Sequence, residues 1–206
     1  MPREKDSRME IQHVNIKLFL IDRDRLDLGA AIPVFHSWIQ DQDESELLLD
    51  IADYRHVPSG PGIVLIGHHG NYSLDNVGGR LGVRYNRKAA LDGSNRDRLV
   101  QATQAALAAC WRLEADVRLE GKIQFNGHEI EVIINDRLLA PNNAETRTAT
   151  EPEVNSFLSS LFGEAEYAVS YPQDARSLFS LHVTTRQTFD TQELLDGLTA
   201  AMAARP

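Results

Sequence analysis

The sequence has a single cysteine, Cys110, and no long apolar segment. One cysteine excludes an internal disulfide bond and a metal site made of several thiolates, and its place on the apolar face of a predicted helix indicates a buried, unreactive thiol. The longest apolar runs, residues 63–66 and 132–134, fall far short of the roughly 20 residues that a membrane-spanning helix needs. Residues 1–8 carry charges of both signs with no apolar segment behind them. We therefore expect no secretory signal, no membrane association and a cytoplasmic location.

Positive charge is also scarce, because 21 lysines and arginines face 30 aspartates and glutamates, for a net charge of -9. Such an acidic surface repels phosphate-rich partners, so we predict no general nucleic-acid binding. The 206 residues are 42% hydrophobic and 7% aromatic, which is the composition of an ordinary soluble globular protein.

Short motifs of nucleophilic, metallopeptidase and phosphate-binding sites are missing from the sequence. It has no G-x-S-x-G, S-x-x-K or H-E-x-x-H segment, and Gly78-Gly79 lacks the G-K-[ST] ending of a phosphate loop. We therefore predict no catalytic residue and favour a protein that is not an enzyme.

Hydrophobic spacing and capping signals predict the element order β-α-β-β-β-β-α-β-β-α-β-β-α. Residues 11–21 alternate apolar and polar side chains as a half-buried strand does, whereas apolar residues in 27–42 recur at helical spacing. Three pairs of an N-cap residue and an acidic residue three positions later indicate helix starts: Ser94 with Asp97, Thr150 with Glu153, and Asp190 with Glu193. Because hairpins join most of the strands, we predict an α+β fold, a mainly antiparallel sheet with helices packed on it.

Two glycine-containing dipeptides, Gly78-Gly79 and Asn126-Gly127, are typical of tight hairpin turns. Pairing outward from the first predicts these opposite residues: Val77 and Arg80, Asp75 and Gly82, Leu74 and Val83, Ser73 and Arg84, Tyr72 and Tyr85. Pairing outward from the second predicts Phe125 opposite His128. The first hairpin then has an aromatic and aliphatic face, and a second face that carries Ser73, Asp75, Arg80 and Arg84.

Residues 1–10 read as a disordered charged tail and residues 11–206 as one α+β domain. Two fused halves that meet near residues 90–120 are the alternative. An antiparallel sheet with helices on one face leaves another face or an edge available, so we expect a homodimer.

Segment 47–88 concentrates histidines, tyrosines and basic residues in an otherwise acidic chain, and it offers a candidate metal site. Imidazole and carboxylate groups suit zinc, iron or manganese, which makes Asp53, His56, His68 and His69 the candidate ligands. In a continuous strand His68 and His69 would point to opposite faces, so the site requires the chain to bend between Gly67 and Gly70. Ordinary turn and edge histidines are the alternative.

The same segment offers a candidate anion site. Arg80, Arg84 and Lys88 follow one another at intervals of four, so they would share one face of a strand, with Ser73 nearby. Such a row suits a small anion or an acidic peptide. The alternative is a solvated face whose charges Asp75 balances.

Together these patterns favour a non-catalytic soluble binding or protein-interaction module without a cofactor. A hydrolase that uses a divalent metal on the His/Asp group, and an adaptor that binds anions through the arginines, are the two alternative functions.

Overall fold

Residues 9–22, 27–41 and 46–203 are described by the computed structural model, and this part of the chain forms one antiparallel sheet with four α-helices. The strands are β1 Val14–Leu20, β2 Leu48–Tyr54, β3 Gly62–Gly67, β4 Gly70–Asp75, β5 Gly82–Arg87, β6 Phe125–Ile134, β7 Tyr167–Ser170 and β8 Phe179–Thr185. The helices are α1 Ala31–Asp41, α2 Asn95–Ala115, α3 Ala144–Phe162 and α4 Thr191–Ala203. The predicted α+β fold, with helices on an antiparallel sheet, is confirmed. None of the helices described is long and apolar enough to cross a membrane.

The strand order is β2-β3-β4-β5-β1-β6-β8-β7. The first strand of the chain therefore lies inside the sheet, where it pairs with β5 on one side and with β6 on the other. Strands β2 to β5 form a meander on the first side, and β6 to β8 continue the sheet on the second. Strand β1 therefore joins the N-terminal part of the sheet, β2 to β5, to its C-terminal part, β6 to β8.

One face of the sheet carries the hydrophobic core. Ile16 and Leu18 of β1, each at most 1% exposed, lie beneath α2, whose apolar residues Leu99, Ala106, Cys110 and Leu113 are all buried. The helix begins at the predicted capping box, in which Ser94 and Asp97 bond each other's backbone amide. Cys110 is fully buried, and desolvation raises the pKa of its thiol, as expected for an unreactive cysteine.

The β4–β5 hairpin has the predicted register: Tyr72 lies opposite Tyr85, and Ser73 opposite Arg84. Its turn is wider than predicted, because residues 77–79 form a short 3-10 turn and the ladder stops at Asp75 and Gly82. Val77 and Arg80 are therefore not paired. The positive φ angles of Gly78 and Gly79, 72° and 70°, still depend on glycine at these two positions.

The predicted hairpin at Asn126-Gly127 is wrong, since both residues lie inside the single strand β6. The Asn126 side chain accepts a hydrogen bond from the amide of His128, a local bond that does not reverse the chain here. Gly127 serves another purpose: a Cβ atom at this position would overlap the carbonyl oxygen of Phe189. The glycine permits a close backbone approach rather than a turn.

The predicted start of the third helix at Thr150 is also wrong. Asn143 is the N-cap, and its side chain accepts a hydrogen bond from the amide of Thr146. Thr150 lies inside the helix and donates its hydroxyl to the carbonyl of Thr146 one turn earlier. The helix continues past Pro152, and Gly163 is its C-cap residue.

Two further sequence predictions have mixed outcomes at the ends of elements. Helix α1 has Pro33 in its first turn, and residue 42 of the predicted range lies outside the described residues. Of the predicted tail, residues 1–8 also lie outside. Met9 and Glu10 are held against the fold, because Asn95 donates to the carbonyl of Met9 and Arg98 pairs with Glu10 at 2.7 Å.

Candidate functional site

The second face of the sheet, called the open face below, is the one that points away from the helices. Strand alternation and the pairing register assign it these residues: Asn15, Lys17 and Phe19 of β1; Asp50, Ala52 and Tyr54 of β2; Val64 and Ile66 of β3; Asn71, Ser73 and Asp75 of β4; Arg84 and Asn86 of β5; Glu129, Glu131 and Ile133 of β6; Ser180, His182 and Thr184 of β8; and Ala168 and Ser170 of β7. Most of these are polar, unlike the residues on the helix-covered face.

A depression of about 330 Å³ lies on the open face over strands β2 to β5. Its apolar side is formed by Tyr54, Val64 and Ile66, together with Ala52 and Pro61. Its polar side is formed by Asn71, Ser73, Asp75, Arg84 and Asn86. The volume lies at the lower end of the range for small-molecule sites.

Asp75 holds together the charged floor of this depression. Its carboxylate lies 2.5 Å from Lys17 Nζ and 3.2 Å from Arg84 Nη1, and it accepts a hydrogen bond from the amide of Val77. Asp75 and Lys17 are each only 1% exposed. Burial lowers the pKa of Lys17, against the opposing attraction of Asp75.

A row of three asparagines crosses the sheet beside this ion cluster. Asn71 of β4 lies opposite Asn86 of β5, which in turn lies opposite Asn15 of β1. Neighbouring strands are about 4.8 Å apart, so the row is roughly 10 Å long. Within the described part of the chain, Oδ1 of Asn15, Oδ1 of Asn71 and Nε of Arg84 are buried without a hydrogen-bond partner. Burying such atoms unpaired costs roughly 1–3 kcal/mol each.

A second ion cluster lies farther along the open face. Arg80 Nη2 lies 2.6 Å from Glu129 Oε2, and the other carboxylate oxygen contacts His182 Nε2. The Arg80 guanidinium also lies over the ring of Phe19, 3.8 Å from its centre. Burial would raise the pKa of Glu129, but the hydrogen bonds from Arg80 and His182 outweigh burial and lower it.

The four residues predicted to bind an anion lie on or beside the open face, and each already has a partner. Arg80 pairs with Glu129 and Arg84 with Asp75. Lys88 follows the end of β5, and its Nζ lies 2.5 Å from the carbonyl oxygen of Gly67. The Ser73 hydroxyl lies 3.5 Å from the carbonyl oxygen of Arg84. The row therefore does not present three uncompensated positive charges.

The four residues predicted to bind a metal do not converge. The chain does bend between Gly67 and Gly70, because His68 and His69 form the turn between β3 and β4. Asp53, however, lies opposite Ile63 at the other end of β3, roughly 16 Å away along the strand. No group of three or more His, Cys, Asp or Glu among the residues described is arranged to hold a metal ion.

Two of the predicted metal ligands, Asp53 and His69, are already engaged by other residues of the protein. Arg55 holds the carboxylate of Asp53 by a bidentate contact, and these hydrogen bonds lower the pKa of Asp53 to about 2. The ring of His56 lies 6.4 Å from that of Tyr54. At the other end, the amide of His69 donates to Glu46.

Sequence reasoning missed the three asparagines, Lys17 and Glu129. The alternation in β1 did place Asn15 and Lys17 on its polar side, which was the available signal. Their partners come from strands that are distant in sequence, so the pattern within one strand could not reveal the cluster.

Comparisons of this chain with protein-family models, with curated proteins and with solved structures gave no match. Its function therefore has to be argued from the chemistry of the open face.

Proposed function

We propose that this protein is a non-catalytic binding module whose ligand occupies the depression on the open face. One observation carries the proposal: Nε of Arg84 and Oδ1 of Asn71 belong to residues that line the depression, yet both atoms are buried without a protein partner. Both side chains reach the depression but neither atom is accessible in its present orientation, so a ligand with matching groups would satisfy them once the two side chains rotate toward it, and would recover the cost of their burial.

The contacts that Asp75 makes in the depression favour binding over catalysis. Asp75 is engaged by Lys17, Arg84 and the amide of Val77, so its oxygens already have partners. A general base needs an oxygen or nitrogen within reach of the substrate proton. Asp75 instead has a structural role, because it fixes Lys17 and Arg84 beneath the ligand.

Filling the depression should abolish binding without removing any polar group. Ala52 lines the depression on edge strand β2, and Ala168 lies on the same face on the opposite edge strand β7. We expect Ala52→Trp to block the site and Ala168→Trp, the matched control, to leave it open. Nuclear magnetic resonance titration with glucose, acetamide, N-acetylglycine methylamide, benzoate and phosphate measures which backbone amides shift.

Under the proposal, at least one probe shifts amides of strands β3 to β5 in the wild-type protein and in Ala168→Trp, but not in Ala52→Trp. The proposal fails if none of the five probes shifts these amides, or if the shifts persist unchanged in Ala52→Trp.

We also infer that the protein forms a homodimer, with the cytoplasm as its location. Leu47, directly before the outer edge strand β2, is 51% exposed, and Leu49 within it is 52% exposed; these two side chains support an association at this edge. Light scattering of the purified protein measures its mass. A monomer at concentrations above about 100 μM would rule out a dimer of ordinary affinity.

A further inference from the structure

The geometry points to a neutral saccharide as the ligand of the open-face depression. This inference rests on the proposed binding function and adds the class of ligand. Three features of the site carry it: the balance of its charges, the kind of groups left unpaired, and the apolar wall that faces them.

The charges around the depression are already balanced. Lys17 and Arg84 contribute two positive charges, and Asp75 contributes one negative charge to both of them. Glu131 of β6 lies directly opposite Lys17 on the open face and supplies the second negative charge. A bound anion would add an uncompensated charge to a balanced and largely buried group, which is unfavourable. A neutral ligand avoids this cost.

What remains unsatisfied is hydrogen bonding of both kinds. Arg84 Nε is a donor and Oδ1 of Asn71 is an acceptor, and both belong to residues that line the depression. The side-chain amides of Asn71 and Asn86, which both line the depression, each carry a donor and an acceptor. A hydroxyl group can also donate and accept. A molecule with several neighbouring hydroxyls therefore matches this row better than a ligand that only accepts, such as phosphate.

The opposite wall of the depression is apolar and includes an exposed aromatic ring. Tyr54 is 43% exposed, and Val64 and Ile66 are half-buried beside it. A sugar ring has the same division, with hydroxyls around its rim and C–H groups on its faces. Its rim would lie toward the asparagines and one face against Tyr54, as an amphipathic ligand lies between a polar and an apolar wall.

Titration with neutral and charged probes tests this inference. The neutral saccharides are D-glucose, D-galactose and maltose, myo-inositol is a neutral polyol, and the charged probes are glucose 6-phosphate and inorganic phosphate. We expect at least one neutral saccharide to shift the backbone amides of residues 62–75 and 82–87. Glucose 6-phosphate should bind no more tightly than glucose, because the site has no spare positive charge.

Single substitutions then identify the groups that bind. Asn86→Ala and Asn71→Ala should each weaken saccharide binding roughly three- to tenfold, the effect of losing one hydrogen bond, and Tyr54→Ala should weaken it through loss of the ring contact. Ser180→Ala, on the same face at strand β8, is the matched control and should leave the affinity unchanged. A far-ultraviolet circular dichroism spectrum of each variant verifies that it folds.

Two outcomes overturn the inference while the binding function stands. In one, N-acetylglycine methylamide, benzoate or phosphate shifts the same amides and no saccharide does. In the other, a saccharide binds but Asn86→Ala and Asn71→Ala match Ser180→Ala. If no probe of any class shifts these amides, the binding function fails together with the inference.

Discussion

Lys17 and Arg84, whose side chains are 2% and 20% exposed on adjacent strands, share the carboxylate of Asp75. We expect Asp75→Asn to lower the free energy of unfolding by about 3–5 kcal/mol, because the two positive charges then lose their directly bonded carboxylate and only Glu131 remains nearby. Urea denaturation measures the change.

Asp53→Asn is the control, since the pair of Asp53 with Arg55 lies at the surface. Exposed ion pairs contribute little, so this variant should unfold close to the wild-type midpoint. Equal losses in the two variants would show that Asp75 has no special role in the fold.

Glu129 should make stability depend on pH in the acid range. Burial raises its pKa, but hydrogen bonds from Arg80 and His182 outweigh this and hold the pKa below the ordinary value of 4.5. A carboxyl group with a lowered pKa stabilises the folded state above its ordinary pKa, and this contribution is lost as the pH falls through the lowered value. We expect Glu129→Gln to be less stable than the wild type at about pH 7.

The difference between Glu129→Gln and the wild type should shrink as the pH is lowered below the ordinary carboxyl pKa of 4.5, because the wild type then loses the charged form of Glu129. Free energies of unfolding measured at several pH values supply the comparison. A difference that stays constant over this range would contradict the assignment.

At this scale the sequence predicted the neighbours of a residue better than its distant partners. Strand alternation correctly placed Ser73, Asp75 and Arg84 on one face of the β4–β5 hairpin. Lys17, the closest partner of Asp75, is 58 residues away in the chain. That contact depends on β1 lying beside β5 in the sheet, and no local pattern specifies the strand order.

Elements show the same contrast between local and tertiary causes. The caps at Ser94 and Asp190 were predicted correctly because each makes its hydrogen bonds with a residue three positions away. The hairpin at Asn126-Gly127 was predicted wrongly because the reason for Gly127 lies in the segment around Phe189, far along the chain. A turn dipeptide and a close backbone approach both favour glycine, and the sequence does not distinguish them.

Two glycine substitutions should therefore change stability in opposite directions. Gly127→Ala would push a Cβ atom into the carbonyl oxygen of Phe189, and we expect it to destabilise the fold by about 3 kcal/mol. Gly197 lies inside α4 with open space around the added atom. Gly197→Ala should stabilise the protein by about 0.5–1 kcal/mol, because alanine favours helix more than glycine does.

Thermal and urea denaturation of both variants measure the two effects. The sequence pattern indicated that Gly127 serves a turn. If that were so, Gly127→Ala would lower the free energy of unfolding by no more than about a few tenths of a kcal/mol, apart from the difference in strand propensity between glycine and alanine.

For the molecule as a whole, the position of β1 argues for one cooperative unit over two halves. This strand pairs with β5 of the N-terminal part and with β6 of the C-terminal part. The helices connect the same parts, since the Arg112 guanidinium of α2 lies 4.1 Å from the ring centre of Trp38 in α1, and α2 also packs against α4. A substitution that destabilises α4 should therefore also destabilise α1.

Leu198→Ala tests this coupling. Leu198 is fully buried in α4, so its truncation should cost about 2–5 kcal/mol. In a Trp111→Phe background, Trp38 is the single tryptophan and reports on α1 and its contact with α2. We expect its fluorescence midpoint in urea to fall together with the circular dichroism midpoint of the whole chain, whereas Val117→Ala, at an 87% exposed position, should move neither. If the Trp38 midpoint stays in place while circular dichroism shows two steps, the chain consists of two units, and the shared strand β1 does not couple them.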